Sequence, residues 1–198
     1  MKKILFLAVA LMATMTMSAQ NMYIKPMVGA TMSKFTSIDD SKFRFGVVGG
    51  AEFGYKLAEP FDVTAGVLVA MQGSNYDDDR FMKDYSTSTT VLNIPILANY
   101  YIIPGLAIKA GIQPSFLLGQ KVKGTEIISG LEEKFEETST DGSEKFTLDI
   151  PLGLSYEFSN FVIDARYNLG ITKVAKHNAD KKPKNSVIML TLGYKIPF

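Results

Sequence analysis

The sequence predicts an all-β fold: an eight-stranded antiparallel up-and-down transmembrane β-barrel. Three observations carry that prediction. Apolar residues recur at every second position along most of the chain, the period of a strand with one greasy face. The alternating runs are about ten residues or longer, which is what a tilted strand needs to cross a bilayer. The connections between runs alternate long and short, which in a closed meander collects every short turn at one end and every long loop at the other. Outer-membrane barrels have that asymmetry, with short periplasmic turns and long extracellular loops.

The 198 residues are enough for one domain with a sizeable core, and the formal charge of +1 makes no case for nucleic acid as a partner. The absence of cysteine excludes a disulfide framework and thiolate metal sites. Lys2 and Lys3, the apolar run from Ile4 to Met12 and the small residue Ala19 read as a secretory signal peptide over 1–19, leaving 20–198 as a single barrel domain. No later run approaches the ~18 apolar residues of a membrane helix. The exported chain is therefore expected either to be soluble or to cross a membrane as strands.

From Met22 to Met32 the even positions form the first apolar face, opposite Tyr23, Lys25, Met27, Gly29 and Thr31. The second run, Phe43 to Leu57, sets Phe45, Val47 and Phe53 against Arg44, Glu52 and Lys56, and Ala58-Glu59-Pro60 turns it into the third, Phe61 to Gly73. A polar loop is expected from Ser74 to Ser88. The fourth run carries Leu92, Ile94, Ile96, Ala98 and Tyr100, and Pro104-Gly105 makes the next tight turn. Leu106 to Leu118 form the fifth. The longest loop is expected from about Gln120 to Glu144. Phe146 to Phe158 and Phe161 to Ile171 form the sixth and seventh, joined at Ser159-Asn160. A basic loop, Lys173 to Asn185, leads to the last run, where Ile188, Leu190, Leu192, Tyr194, Ile196 and Phe198 share one face. That strand is expected to close the barrel against Tyr23 to Met32.

One face carries no charge. The other carries many glycines together with Lys25, Arg44, Glu52, Lys56, Asp62, Lys109, Asp149, Glu157, Asp164, Arg166 and Lys195. A soluble barrel carrying an apolar ligand would turn the greasy face inward. Three features favour the opposite sense. Glycine suits a narrow, tapering interior better than a solvated strand face. The polar face is sparse in long charged residues compared with a soluble surface. Aromatics gather at both strand ends, Phe53, Tyr100, Tyr156, Phe158, Phe161 and Tyr194 at one and Phe43, Phe45, Phe116 and Phe146 at the other, as girdles do. The polar residues then read as an internal ion-pair network, because buried charges must be paired, and the lumen as plugged. Pro95 and Pro151, in similar contexts within strands, are expected to mark bulges where the register changes.

Catalytic and metal signals are weak. His177, the single histidine, lies in the basic loop, and no pattern unites it with Ser155 or an aspartate as a triad. Asp77-Asp78-Asp79 lacks the spacing of a calcium loop. No cofactor is expected. The lysines of the basic loop suit an anionic lipid surface. An outer-membrane lipid- or peptide-modifying enzyme remains the alternative to a non-enzymatic barrel.

With these residues in view, the chain resembles the PorT-like small outer-membrane β-barrel proteins of Bacteroidetes. The Leu92-to-Pro95 strand, the Ala165-Arg166-Tyr167-Asn168-Leu169-Gly170 strand and the C-terminus carry the resemblance. Thr191, Gly193, Ile196 and Phe198 also look like the C-terminal signal read by the barrel-assembly machinery. The resemblance implies an outer-membrane barrel, with membrane lipid and that machinery as partners. It leaves the activity open, since the founding member is an accessory to protein secretion.

Overall fold

The computed structural model describes residues 21–36, 41–76, 82–128, 131–138, 140, 142–175 and 183–198. The signal peptide, Asp77-Asp78-Asp79, His177 and most of the basic loop lie outside them. Among the described residues twelve strands make one antiparallel sheet: β1 (Met22–Thr36), β2 (Ser41–Lys42), β3 (Arg44–Ala58), β4 (Phe61–Tyr76), β5 (Met82–Asn93), β6 (Ile96–Ile103), β7 (Leu106–Ile128), β8 (Leu131–Thr138), β9 (Phe146–Phe158), β10 (Phe161–Gly170), β11 (Lys184–Tyr194) and β12 (Ile196–Pro197). β5 and β6 are two halves of one wall, as are β11 and β12, so the ring has eight staves. It closes where β11 and β12 pair with β1, from Thr36↔Lys184 down to Tyr23↔Pro197.

The register sets the barrel's width. Following paired residues round the ring leads from Met22 through Tyr55, Val63, Ala98, Ala110, Leu152, Tyr167 and Ile188 back to Met32, a shear of ten residues. With ~3.3 Å per residue and ~4.8 Å between strands, that shear tilts the strands by about 40°. The interior of such a barrel is just wide enough for side chains to fill.

The apolar face points outward. Val28, Val47, Val67, Leu118, Leu154 and Leu190 are each more than half exposed, while Leu97, Val48 and Met189 on the inner face are buried. Aromatic rings meet at both rims of this band. Phe61 lies 4.8 Å from Tyr100 and Phe161 lies 5.1 Å from Tyr194 near the short turns, and Phe116 lies 5.4 Å from Phe146 near the long loops. Strand β9 carries a ring at each rim, Phe146 and Tyr156. Ten residues at that rise and tilt separate them by about 25 Å, the height of the apolar band of an outer-membrane barrel.

Two expectations need correction. The segments read as the loops 74–88 and 120–144 are largely strand. β4 runs to Tyr76, β5 begins at Met82, and β7 and β8 form a hairpin whose register pairs Lys121 with Thr138 and Ile128 with Leu131. Charge on both faces, which suggested loop, is what a ribbon standing in water on both sides tolerates. The prolines also leave the register unchanged. The β4 pairings Leu68↔Asn93 and Ala65↔Ile96 lie on one register across Pro95, and those of β9 with β7 continue on one register across Pro151. The strand is interrupted at Pro95, yet the bonds across the gap keep both registers: Gly66 N–H donates to the Pro95 carbonyl (2.9 Å) and Ile94 N–H to that of Pro114 (2.8 Å). Between β5 and β7 the register shifts instead between Thr90 and Val91, opposite Leu117 to Gly119, and again between Lys83 and Ser86. Past the first of these the inward side of β7 passes from odd to even positions, so that Gln120 and Val122 line the lumen's outer end.

Leu190 tests the direction of the apolar face. Leu190→Arg near mid-band should cost about 2–4 kcal/mol if the face meets lipid, read as a lower denaturant midpoint in detergent. An unchanged midpoint would place that face in water.

Candidate functional site

Inside the barrel the described residues form layers. The central layer is ionic. Lys25 and Glu52 face each other on β1 and β3, with Nζ 2.8 Å from Oε2. Arg166 reaches across from β10 and places Nη1 2.5 Å from Glu52 Oε1. On its own strand the same guanidinium forks onto Asp164, Nε to Oδ1 at 2.6 Å and Nη2 to Oδ2 at 2.8 Å. Lys109 of β7 donates to Asp164, and Lys25 lies 3.7 Å from it. All five side chains are almost fully buried. The planar fork is suited to holding two carboxylates at once.

Glycines make room for these long side chains. A Cβ at Gly66 would stand 2.6 Å from Glu52 Cγ, one at Gly193 2.9 Å from Lys25 Cγ, and one at Gly153 3.0 Å from Arg166 Cγ. At Gly54 a Cβ would overlap the ring of Tyr23, which lies flat across that position. This places the Tyr23 hydroxyl 2.9 Å from Asp62 Oδ2.

Below the centre, toward the short turns, Asp62 accepts from Tyr23, Asn99 and Tyr101. Lys195 sits 2.9 Å from Glu157 Oε2 and 4.2 Å from the Tyr23 ring centroid. With Asp62 included, three buried cations face three buried carboxylates. Above the centre, toward the long loops, Met27, Val48, Leu68, Ala70, Val91 and Met189 pack as an apolar cluster. Beside it lie the buried polar residues Asn93, Gln113, Ser115, Asp149 and Asn168. Asp149 accepts from Gln113 at 3.4 Å and Ser115 at 3.3 Å.

The residues expected to form one network thus separate. Lys25, Glu52, Lys109, Asp164 and Arg166 join directly, while Asp62, Glu157 and Lys195 form a second set below them, linked through the Tyr101 hydroxyl. Lys56 does not belong to the interior: it is exposed at the short-turn rim, where β3 has left the ring's polar core. Arg44 is half-buried at the opposite end and donates to Asn75 at 3.2 Å, out of the central cluster. Asp149 is buried but makes no ion pair among the described residues, because its wall opposes amides. Tyr23, Asn99 and Tyr101 were missed, although each falls on the inner face by parity. In the last strand Thr191 and Gly193 face inward and Ile196 and Phe198 outward.

Cavities open at both ends. The lower one, about 380 Å³, is bounded by Lys56, Tyr101, Glu157 and Lys195, and the upper one measures about 330 Å³. Between Tyr23, Lys109 and Lys195 there remains about 10 Å³, room for one water at most. Outside the upper rim, Lys121 and Lys123 pair with Glu136 at 3.2 and 2.8 Å. Hydrogen bonds from Lys123 and Lys121 hold the Glu136 carboxyl below its ordinary range.

The chain belongs to the family described as outer membrane protein beta-barrel domain, whose model matches residues 14–176. Membership implies the outer membrane as its location. Among solved structures it is similar to Ail, the attachment invasion locus protein of Yersinia pestis, at 18% identity over 89% of this chain and 99% of that one, with a TM-score of 0.50. It is also similar to Neisserial surface protein A, at 15% identity over 88% and 97%, with a TM-score of 0.51. The protease OmpT of Escherichia coli aligns at 9% identity over 91% of this chain and 98% of that one, with a TM-score of 0.42. At such identities the likeness speaks for the fold alone. No curated protein matches the sequence.

Two outcomes test this geometry. Arg166→Met leaves two buried carboxylates short of a partner and should cost about 3–5 kcal/mol. Lys195→Met at the partly open rim should cost about 1 kcal/mol. Both are read by urea unfolding in detergent. The Glu136 pairing contributes above the ordinary glutamate range and is lost as pH falls through its depressed value. Amide protection in the β7–β8 hairpin should therefore fall between neutral pH and pH 3 at low salt, and Glu136→Gln should abolish that difference.

Proposed function

We propose that the protein is a non-enzymatic outer-membrane barrel with a closed lumen that acts through its extracellular extension, and that it is a PorT-like protein of the Bacteroidetes type with an accessory role in secretion. In this reading residues 1–19 are a cleaved signal peptide. Thr191, Gly193, Ile196 and Phe198 present the assembly signal, and outer-membrane lipid surrounds the apolar band.

The observation that carries the reading is the central layer. Arg166, Glu52, Asp164, Lys25 and Lys109 join opposite walls between the two end cavities, and the apolar cluster lies directly above them. An ion entering the lumen would have to break paired, desolvated charges, each costing several kcal/mol to uncover. Ser155 is buried on the inner wall of β9, away from any substrate in the membrane or outside it.

The extension supports an interaction role. β7 is 23 residues long, about 75 Å at strand rise, and only about half of that crosses the apolar band. The remainder stands clear of the barrel with β8 as its outer edge, and such an edge is a natural place for another chain to pair.

Planar-bilayer recording of the purified monomer should give no stable large conductance, and a steady aqueous pore would overturn the closed lumen. Replacing residues 123–136 with a tight turn should leave the heat-dependent gel shift of the folded barrel intact while abolishing capture of its protein partner from envelope extracts. Retained capture would remove the extension from the role.

A further inference from the structure

The short-turn rim is not level. At the β9–β10 turn the rim rings Phe158 and Phe161, 5.7 Å apart, stand directly beside the polar pair Ser159-Asn160. The turns from β3 to β4 and from β6 to β7 are built otherwise. β6 runs three residues past the rim ring Tyr100 to Ile103, about 8 Å along the barrel axis at strand rise and tilt. A lipid headgroup layer has about that depth. The residues that reach into it are apolar, and Leu57, Ile102 and Ile103 are each more than half exposed.

Between these two turns opens the lower cavity of about 380 Å³, and every residue that lines it is described. Pro60, Phe61, Ile102, Ile103 and Pro104 give it an apolar side. The Phe61 ring also packs against Tyr100 at 4.8 Å, at the edge of the outward apolar band, so the cavity is continuous with that band. Its floor is satisfied from within: Lys195 holds Glu157 at 2.9 Å, and the Tyr101 hydroxyl reaches Asp62 and Glu157.

Two charges at its edge are open. Lys56 and Glu59 line the cavity and are exposed, and neither side chain makes an ion pair or hydrogen bond among the described residues. They lie three positions apart where β3 turns into β4. With the floor pair included, two cations face two carboxylates, so a ligand of net charge gains nothing. A ligand carrying one charge of each sign a few bonds apart matches the open pair. A second barrel in the same membrane points its short turns the same way and cannot enter.

We propose that this cavity holds the headgroup of a zwitterionic phospholipid of the phosphoethanolamine type, drawn from the adjoining leaflet. Its phosphate lies on Lys56, its ammonium on Glu59, and its glycerol and first methylenes against Phe61 and Ile102. The proposal rests on lipid meeting the apolar band.

The test uses the full mature barrel in a polyoxyethylene detergent, which carries no charge, with short-chain phospholipids bearing ethanolamine, choline or glycerol headgroups as probes. Methyl resonances of Ile102 and Ile103 should shift saturably, at severalfold lower concentration with the ethanolamine lipid than with the other two. Glu59→Gln should erase the preference for ethanolamine over choline, because choline has no N–H to donate to the carboxylate. Lys56→Gln should weaken both zwitterionic lipids severalfold. Both residues are exposed, and the heat-dependent gel shift reports that the variants fold. Equal midpoints for the three lipids, midpoints unmoved by either variant, or free phosphoethanolamine binding as well as the lipid would overturn the proposal. Leu190 methyls in mid-band should contact alkyl chains throughout. If they do and no lipid shifts Ile102 or Ile103, the cavity belongs to another occupant, such as a polypeptide, and the proposal falls alone. If Leu190 contacts no alkyl chain, the lipid-facing band falls and takes the proposal with it.

Discussion

Arg166 is the side chain on which the interior depends. Its fork holds Asp164 on its own strand and Glu52 on the far wall, and Lys25 and Lys109 complete the charge around those two carboxylates. Removing ions from water costs several kcal/mol each. The layer is therefore tolerable only because every member has a short, directed contact and because the shear of ten keeps the walls close enough for one guanidinium to span them. Width and charge are coupled: a wider ring would let water between the pairs.

The same closeness explains the glycines and the tyrosines. Gly66, Gly153 and Gly193 leave space beside Glu52, Arg166 and Lys25, and Gly54 leaves a bed for the Tyr23 ring. Tyr23 in turn carries the contacts downward, its hydroxyl on Asp62 and its ring under the Lys195 ammonium. Polarity therefore runs without interruption from the centre to the short-turn rim. Toward the long loops it stops at the apolar cluster around Leu68 and Met189. The two end cavities consequently differ in chemistry, the lower edged by Lys195 and Glu157 and the upper walled by acids, amides and hydrocarbon.

Outside, the barrel divides by height. Up to Phe116 and Phe146 the outward residues are aliphatic or aromatic, and beyond them Lys121, Lys123 and Glu136 take the outward positions. The strands do not end at that boundary. Backbone pairing continues through β7 and β8 into water, because a ribbon needs no apolar face once its N–H and C=O groups are paired with each other. This is why charge was a poor guide to where the strands end.

Parity alone determined a large part of this protein. In a strand, neighbouring side chains point to opposite faces, so the separate greasy face, the shared polar face of Lys25, Glu52, Asp164 and Arg166, and the eight-fold alternation were legible from spacing, and glycines and aromatic girdles gave the faces their direction. Parity says nothing about height or depth along the barrel axis. Only the register, summed round the closed ring, decided that Arg166 meets Glu52, that Lys56 lies out at the rim, and that Asp149 faces Gln113 and Ser115 instead of a cation. The prolines show the same limit: Pro95 interrupts the strand without shifting it, because in-register bonds from Gly66 N–H to the Pro95 carbonyl and from Ile94 N–H to the Pro114 carbonyl hold both sides in place, whereas the shift at Thr90 has no mark in the sequence. Side-chain direction is a local property of the backbone, and depth is a property of eight strands together.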